Sequence, residues 1–327
     1  MDPVKEVVSI SLGSSKRDHV VDIELFGQAF RLRREGTDGD MARAVERLRE
    51  LDGHVDAFGL GGIDLMLTAA GRDYYFRDGK RFRDAVRTTP ILDGSGLKGA
   101  VEADVVRFMQ AELGLDLTGK RVLVTSAVDR WGMAMGFADA GCAMTYGDLL
   151  YALGVPVMIH SRKALIRTVH VLAPVAVQLP FKWLYETEAD HTTEVQGESR
   201  FADLYRNADI VIGDYKYVRR YMPRDMRGTW VVTNTTTAED VEFLRSRGVE
   251  LLVTSTPRLG GRSFGTNVIE ATMVALDGAS AALAPERYLE LLATTGFTPD
   301  VQWLSSATLS KPEMTSDVVV SPAPSSA

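Results

Sequence analysis

TWVVTNTTTAEDVEFLRSRGVELLVTSTPRLGGRSFGTNVIEATMVALDG, residues 229–278, reads as strand, helix, strand, loop, helix. Trp230, Val231 and Val232 form a short β-branched and aromatic run that breaks off in Thr233-Asn234-Thr235-Thr236-Thr237. Leu251, Leu252 and Val253 form the next, and it breaks off in Thr254-Ser255-Thr256-Pro257. Both runs end in hydroxyls and amides at the same end. In an open parallel sheet that end faces the ligand crevice. Helix capping by Ser and Thr explains the same residues without a ligand. For one strand alone the two readings stay level, and repetition along the chain favours the crevice.

The repetition begins upstream. RVLVT (residues 121–125) is a buried-strand run, followed by a helix over 131–140, a strand over 142–146 and a helical turn from Asp148. A short strand over 155–159, a helix over 163–172 and the strand ADIVIG (208–213) continue the pattern. Strands alternating with helices predict a parallel, doubly wound, Rossmann-like sheet. The first third differs. EVVSISL (6–12) is a strand closed by Gly13-Ser14-Ser15, and residues 20–26 and 29–33 alternate around Gly27-Gln28 as a hairpin. Met41, Ala44, Val45, Leu48 and Leu51 mark a helix, and residues 54–60 a strand that ends in Gly59-Leu60-Gly61-Gly62-Ile63-Asp64. Those glycines fit either close backbone approach to a ligand or tight packing of two elements. The expected organisation is α/β throughout: a smaller N-terminal α/β substrate domain (1–117), a Rossmann-like domain (118–278), a C-terminal helix (279–304) and a disordered Ser/Pro/Ala-rich tail (305–327). The acidic stretch 185–199 reads as an exposed loop.

The chain has 327 residues, enough for two ordinary domains, with 45% hydrophobic and 25% charged residues. Its net charge of −7 and lack of a basic stripe with interleaved aromatics argue against nucleic acid. No apolar run reaches the roughly 18 residues of a membrane span, and MDPVKEVV has no apolar signal core. A cytoplasmic protein is expected. The single cysteine, Cys142, excludes an intrachain disulfide framework and a cysteine-based zinc site, and no metal is expected.

The turn after the 121–125 strand has the layout of a dinucleotide cradle, in which helix N–H groups hold a pyrophosphate. Thr125, Ser126, Arg130 and Gly132 are its candidate cofactor residues. Asp148, at the end of the second strand, is the candidate ribose anchor. Ser126 and Arg130 stand where short-chain-dehydrogenase-like turns carry glycine, so Arg130 is also a candidate phosphate contact. Asn234, Thr235, Thr254 and Ser255 extend the cofactor wall. A Lys beside an Asp can relay a hydroxyl proton during alcohol oxidation. Lys98 with Asp93 or Asp64 is the candidate catalytic set, in the polar segment TTPILDGSGLK (88–98). Ser14, Ser15, Arg262 and Asn267 are candidate substrate contacts, Arg262 for a carboxylate or phosphate. An ordinary α/β turn and exposed side chains are the plainer readings of the same residues.

VSISLGSS, REGTDGD, FGLGGIDL, TPILDGSGLK, YVRRYMP, TNTTTAEDV and TSTPRLGGRSFGTNVIEA resemble a bacterial family of quinate 5-dehydrogenases, from about Lys5 to Gly278. The resemblance implies a substrate domain, a Rossmann domain and a C-terminal helix. It also implies NAD or NADP as cofactor and a small polyhydroxy carboxylate, oxidised from quinate to 3-dehydroquinate. A Lys–Asp pair would act on it, with Thr89-Pro90 and Lys98 echoing the lysine segment. The sequence shows no match for the aspartate. A non-redox metabolite-binding or regulatory protein with a degenerate Rossmann domain is the rival reading, and a homodimer stays open.

Overall fold

The computed structural model describes residues 3–25, 27–180, 201–255, 258–259, 265–294, 297–305, 317–318 and 321–322. The first lobe carries β1 (Lys5–Ser11), β2 (His19–Leu25), β3 (Gln28–Gly36), α1 (Met41–Leu51), β4 (Ala57–Gly61), β5 (Met66–Ala69), β6 (Arg72–Tyr75), α2 (Arg77–Arg83) and β7 (Ile91–Leu92). α3 (Ser95–Ala111) leads to the second lobe. There follow β8 (Arg121–Val124), α4 (Trp131–Asp139), β9 (Ala143–Tyr146), α5 (Asp148–Leu153), α6 (Arg162–Ala176), α7 (Ala202–Arg206), β10 (Ile210–Ile212) and α8 (Tyr215–Arg220). β11 (Trp230–Thr233), α9 (Ala238–Ser246), β12 (Leu251–Thr254), β13 (Arg258–Leu259), α10 (Thr266–Asp277), α11 (Pro285–Thr294), β14 (Asp300–Trp303), β15 (Asp317–Val318) and β16 (Ser321–Pro322) complete the described elements.

The second sheet runs β9-β8-β10-β11-β12-β14, parallel except for β14. Its inner strands β10, β11 and β12 are short and buried on both faces, as the apolar runs require, while the edge strand β9 is half-exposed. Val122 and Val124 pack with Met133, Phe137 and Leu165 on one side, while Leu123 packs with Leu150, Tyr205 and Leu244 on the other. Helices thus cover both faces, and the Rossmann-like α/β reading holds. β8 lies between β9 and β10, so its carboxyl end is the topological switch point of the sheet, the position at which open α/β sheets place ligands.

The first sheet runs β16-β2-β3-β1-β4-β7, with β1 parallel to β3 and β4, and β2 antiparallel to β3. Alternation sorts β1 residues between two layers. Val8 and Ile10 meet Ala44, Val45 and Leu48 of α1, and Val7 meets Leu97 of α3 and Ile269 of α10. α10 packs on β1 and β4, although its sequence position assigns it to the second domain. Gly59 explains part of the fit: a Cβ there would lie 3.0 Å from Asn267 at the start of α10. The FGLGG glycines therefore serve close packing of two elements.

α3 is common to both lobes. Leu97, Ala100 and Val101 belong to the core around β1 and α10, and Val105, Val106 and Met109 to the core around β8 and α4. α4 comes against it through glycine. A Cβ on Gly132 would lie 2.8 Å from the Gly99 carbonyl, and one on Gly136 2.9 Å from Val106.

Three expectations change. Residues 155–159 form only an isolated bridge, Tyr146 to Ile159, rather than a strand, because Val155 and Val157 are exposed and have no sheet face to cover. β14 extends the second sheet at its β12 edge, where a C-terminal helix was expected over 279–304. Within the tail expected to be disordered, β15 pairs with β13 and β16 pairs with β2. The acidic stretch 185–199 lies outside the described residues. Among the described residues, no helix is long and apolar enough to cross a membrane.

Because Gly132 sets the α3–α4 distance, Gly132→Val should lower stability by about 1–3 kcal/mol. Urea unfolding measures it, and an unchanged midpoint would contradict this packing role.

Candidate functional site at the interlobe crevice

The first turn of α3 puts Lys98 against the loop that follows β8. Lys98 Nζ donates to Asp129 Oδ1 at 2.6 Å. Both side chains remain about a quarter exposed, 23% and 25%. The pair therefore lies at a solvent-reachable edge of the crevice, on two elements that pack directly. Lys98 is in the helix because Gly94, at φ 95°, turns the chain and Asp93 Oδ1 accepts the Ser95 N–H. The other Asp93 oxygen accepts the Leu65 N–H at 2.7 Å. Asp93 thus shapes the loop and does not pair with Lys98. Asp64 is close enough for its charge to act on Lys98, but the carboxylate bonded to the ammonium is that of Asp129. The expected Lys–Asp geometry exists with a different aspartate.

Burial opposes charge on both members of the pair, yet their attraction prevails. Burial pulls the Lys98 ammonium down, and the Asp129 charge overrides it, leaving Lys98 above its ordinary value. Burial pushes Asp129 up, and the Lys98 and Arg130 charges carry it down to about 2. Lys98 is consequently an ammonium at rest.

Arg130 crosses the crevice instead of lining it. Its Nη1 donates to Glu102 Oε1 at 2.5 Å and its Nη2 to Asp214 Oδ2 at 2.5 Å. Asn234 Nδ2 donates to the same Asp214 oxygen at 3.1 Å, and Asn234 Oδ1 accepts the Tyr215 N–H. Ser126 Oγ accepts the Asp214 N–H, and Thr125 Oγ1 donates to the Ile212 carbonyl. These polar groups of the β8, β10 and β11 ends are bonded to one another. Thr254 and Ser255 are buried, at 3% and 1% exposure, so they present no open wall. Thr235 is half-buried.

The other candidates are dispersed. Asp148 Oδ1 accepts the Val128 N–H at 2.8 Å, so this carboxyl ties down the β8–α4 loop. Burial raises it to about 6 against the loop N–H groups, which act in the opposite direction. Its Oδ2 is buried without a hydrogen-bond partner. Gly132 faces α3 and has no ligand side. Ser14 Oγ accepts the Lys16 N–H, and the Ser15 N–H donates to Asp38 Oδ1, which makes this turn after β1 self-contained. Asn267 Nδ2 donates to Ser9 Oγ at 3.1 Å. Arg262 lies outside the described residues, as do Thr256 and most of the GGRSFGTN loop. No group of three His, Cys, Asp or Glu suited to a metal occurs among the described residues.

A nicotinamide dinucleotide in the glycine-rich manner does not fit this turn. Residues 125–130 contain no glycine, Thr125, Ser126 and Arg130 are buried, and Asp148 is committed to the loop. The cations Lys98 and Arg130 are outnumbered by Glu102, Asp129 and Asp214, so no spare positive charge awaits a pyrophosphate.

Two residues were missed by sequence reading. Asp129 is the acid of the turn VTSAVDRW, directly before Arg130, and the local sequence signals neither its direction nor its partner. Glu270 had no signal, being one acid on an amphipathic helix. It is 1% exposed and accepts from Tyr288 Oη at 2.7 Å beside the start of α3. Burial raises it to about 7, Tyr288 acting the other way.

Fold and site together define a two-lobed α/β protein with a Rossmann-like second lobe and a lysine–aspartate pair at the crevice. By sequence, the chain belongs to the family described as Domain of unknown function (DUF8754), whose model matches residues 96–304. A second model, Domain of unknown function (DUF8753), matches residues 6–93. The two meet just ahead of α3. A comparison with curated proteins gives no match. Among solved structures, a glucose-galactose binding protein from Geobacillus stearothermophilus is 9% identical over 94% of this chain and 100% of that chain, with TM-score 0.38. Leu-bound glutamate dehydrogenase from Thermus thermophilus is 15% identical over 89% and 73%, with TM-score 0.39. Malic enzyme from Entamoeba histolytica is 10% identical over 92% and 65%, with TM-score 0.41.

Asp148 and Glu270 hold protons in the folded state that the unfolded chain releases at lower pH. Stability is therefore full below the unfolded carboxyl values and declines as pH rises through about 6 for Asp148 and about 7 for Glu270. The thermal midpoint should fall between pH 4 and pH 8, each group contributing on the order of 2–3 kcal/mol over that range. Asp148→Asn should flatten that fall, and a midpoint rising over the same range would contradict both assignments.

Proposed function

We propose that this chain is an oxidoreductase of the quinate/shikimate dehydrogenase type, acting on a ring hydroxyl of a polyhydroxy carboxylate. Quinate, giving 3-dehydroquinate, is the substrate the resemblance implies, with NAD or NADP as hydride acceptor. The observation that carries the reading is the Lys98–Asp129 pair, rigidly mounted and partly exposed at the crevice. The proton side of the chemistry belongs to these two residues. In the reductive direction the Lys98 ammonium donates to the oxygen of a ring ketone. In the oxidative direction the Lys98 amine takes the hydroxyl proton, and Asp129 stabilises the ammonium formed. Since Asp129 holds Lys98 protonated, oxidation should rise with pH and reduction should fall as pH climbs through the lysine's range.

The misfit of the turn favours a second reading. In it the crevice binds a hydroxylated or carboxylated metabolite without redox chemistry, and the Arg130 bridge permanently replaces a dinucleotide. One set of measurements separates the two. Titration with NADH and NADPH, followed by nicotinamide fluorescence, should show binding under the first reading. Thermal stabilisation by quinate or shikimate with no response to either cofactor at millimolar concentration would select the second.

Under the dehydrogenase reading, Lys98→Met should cut kcat by about 10²–10⁴ with a smaller change in KM. Asp129→Asn should also lower kcat. Full turnover in a folded Lys98→Met variant would remove the relay.

A further inference from the structure

Arg130 does more than close the crevice. Its Nε lies 3.1 Å from Asp129 Oδ2, while Lys98 holds Oδ1 of the same carboxylate at 2.6 Å. Two cations thus share one carboxylate, one mobile in its protonation and one permanently charged. The guanidinium is fixed from three elements: Glu102 on α3, Asp214 at the β10 end, and Asp129 in its own loop. Glu102 stands one turn beyond Lys98 on the same helix. The bridge therefore references Asp129 to the helix that carries its partner.

We propose that Arg130 is a positioning residue for the Lys98–Asp129 pair, orienting the carboxylate and loosening the lysine's hold on its proton. The inference rests on the proton-relay reading. The groups facing Lys98 are Asp129 and Arg130 from the loop before α4, Asp64 after β4, and Glu102 from its own helix. The three acids strengthen its grip on the proton, and Arg130 is the one cation among these four that opposes them. An ammonium wedged only among carboxylates would release its proton too reluctantly to act as a base. Arg130 also sets its charge beside the second oxygen of Asp129, with Nε 3.1 Å away as an ion pair rather than a hydrogen bond.

This assignment differs from the phosphate contact that the sequence suggested for Arg130. It also differs from a plain interlobe tie, and the two roles predict opposite results. A tie, once removed, leaves Lys98 looser and its amine at least as reactive. Loss of a tuning charge leaves Lys98 more fully protonated and less reactive.

The test is competitive labelling of the full chain with trace acetic anhydride at pH 9, read by mass spectrometry, with Lys216 as internal reference. The variant is Arg130→Gln in a Glu102→Gln background, compared with Glu102→Gln alone, so that the loss of the Glu102 charge is common to both and only the Arg130 charge differs. Lys98 labelling relative to Lys216 should fall about three- to tenfold, the tenfold limit corresponding to one unit of pKa. Equal or faster labelling in the folded variant overturns the proposal. If that variant does not fold, Arg130→Met in a Glu102→Leu background replaces the pair by apolar side chains and, compared with Glu102→Leu alone, carries the same expectation. The readout needs no turnover, which separates this inference from the dehydrogenase reading. A labelling drop without NAD- or NADP-dependent activity supports the positioning role and sinks the proposed reaction. Where activity is present, the rising limb of the pH profile for oxidation should move to higher pH in the same variant.

Discussion

The close approach of α3 and α4 is the constraint on which the site depends. Two helices with ordinary side chains at the contact stay 8–10 Å apart. Here Gly132 faces the Gly99 carbonyl and Gly136 faces Val106. The result is that the first turn of α3 and the loop before α4 lie side by side. Lys98 reaches Asp129, and Glu102 reaches Arg130, over distances that a wider separation would open. The glycine that in other Rossmann-like turns leaves room for a phosphate here leaves room for a helix.

That proximity brings charges out of water. Glu102 is 1% exposed and Arg130 7%, and burial of either alone would be strongly unfavourable. The bridge works because every charged member has a partner of opposite sign and the elements around it are packed. A buried pair of this sort adds little net stability. Its value is geometric: Arg130 is held by Glu102 and Asp214 on separate elements, which fixes its charge beside the Lys98–Asp129 pair. At the outer end, Lys98 and Asp129 keep about a quarter of their surface exposed to solvent.

Much of the architecture was legible because it follows from local rules. The βα alternation after residue 121, apart from residues 155–159, and the hairpin about Gly27 and the α1 stripe from Met41 to Leu51 fold as their patterns predict. Lys98 was singled out as half of a Lys–Asp pair, and the structure pairs it, with Asp129 in place of Asp93 or Asp64. What was illegible depends on residues distant in sequence. Asp129 is 31 positions from Lys98, and nothing in either segment specifies that they meet. Asp148 has the spacing of a ribose anchor, but the carboxyl turns inward because Val128 offers it an N–H. Gly132 read as a ligand glycine, since a glycine cleared for a helix and one cleared for a phosphate look alike in one sequence. The assignment of α10 failed for a similar reason: an amphipathic helix shows which face is apolar and not which lobe will cover it.

α10 has a further consequence for how the molecule comes together. The face of the first sheet that carries Val7 is covered by Ile269, which emerges from the ribosome more than two hundred residues later. Until then that face has only the cover that α3 gives through Leu97, Ala100 and Val101, and the early strands wait with part of their apolar surface in water. A loop that long is entropically unfavourable to close, and the closing contact belongs to the slow, non-local kind. The two lobes are therefore successive in sequence but joint in folding: the first lobe matures only after the second has been made, and the nascent chain has an interval in which it needs protection from aggregation.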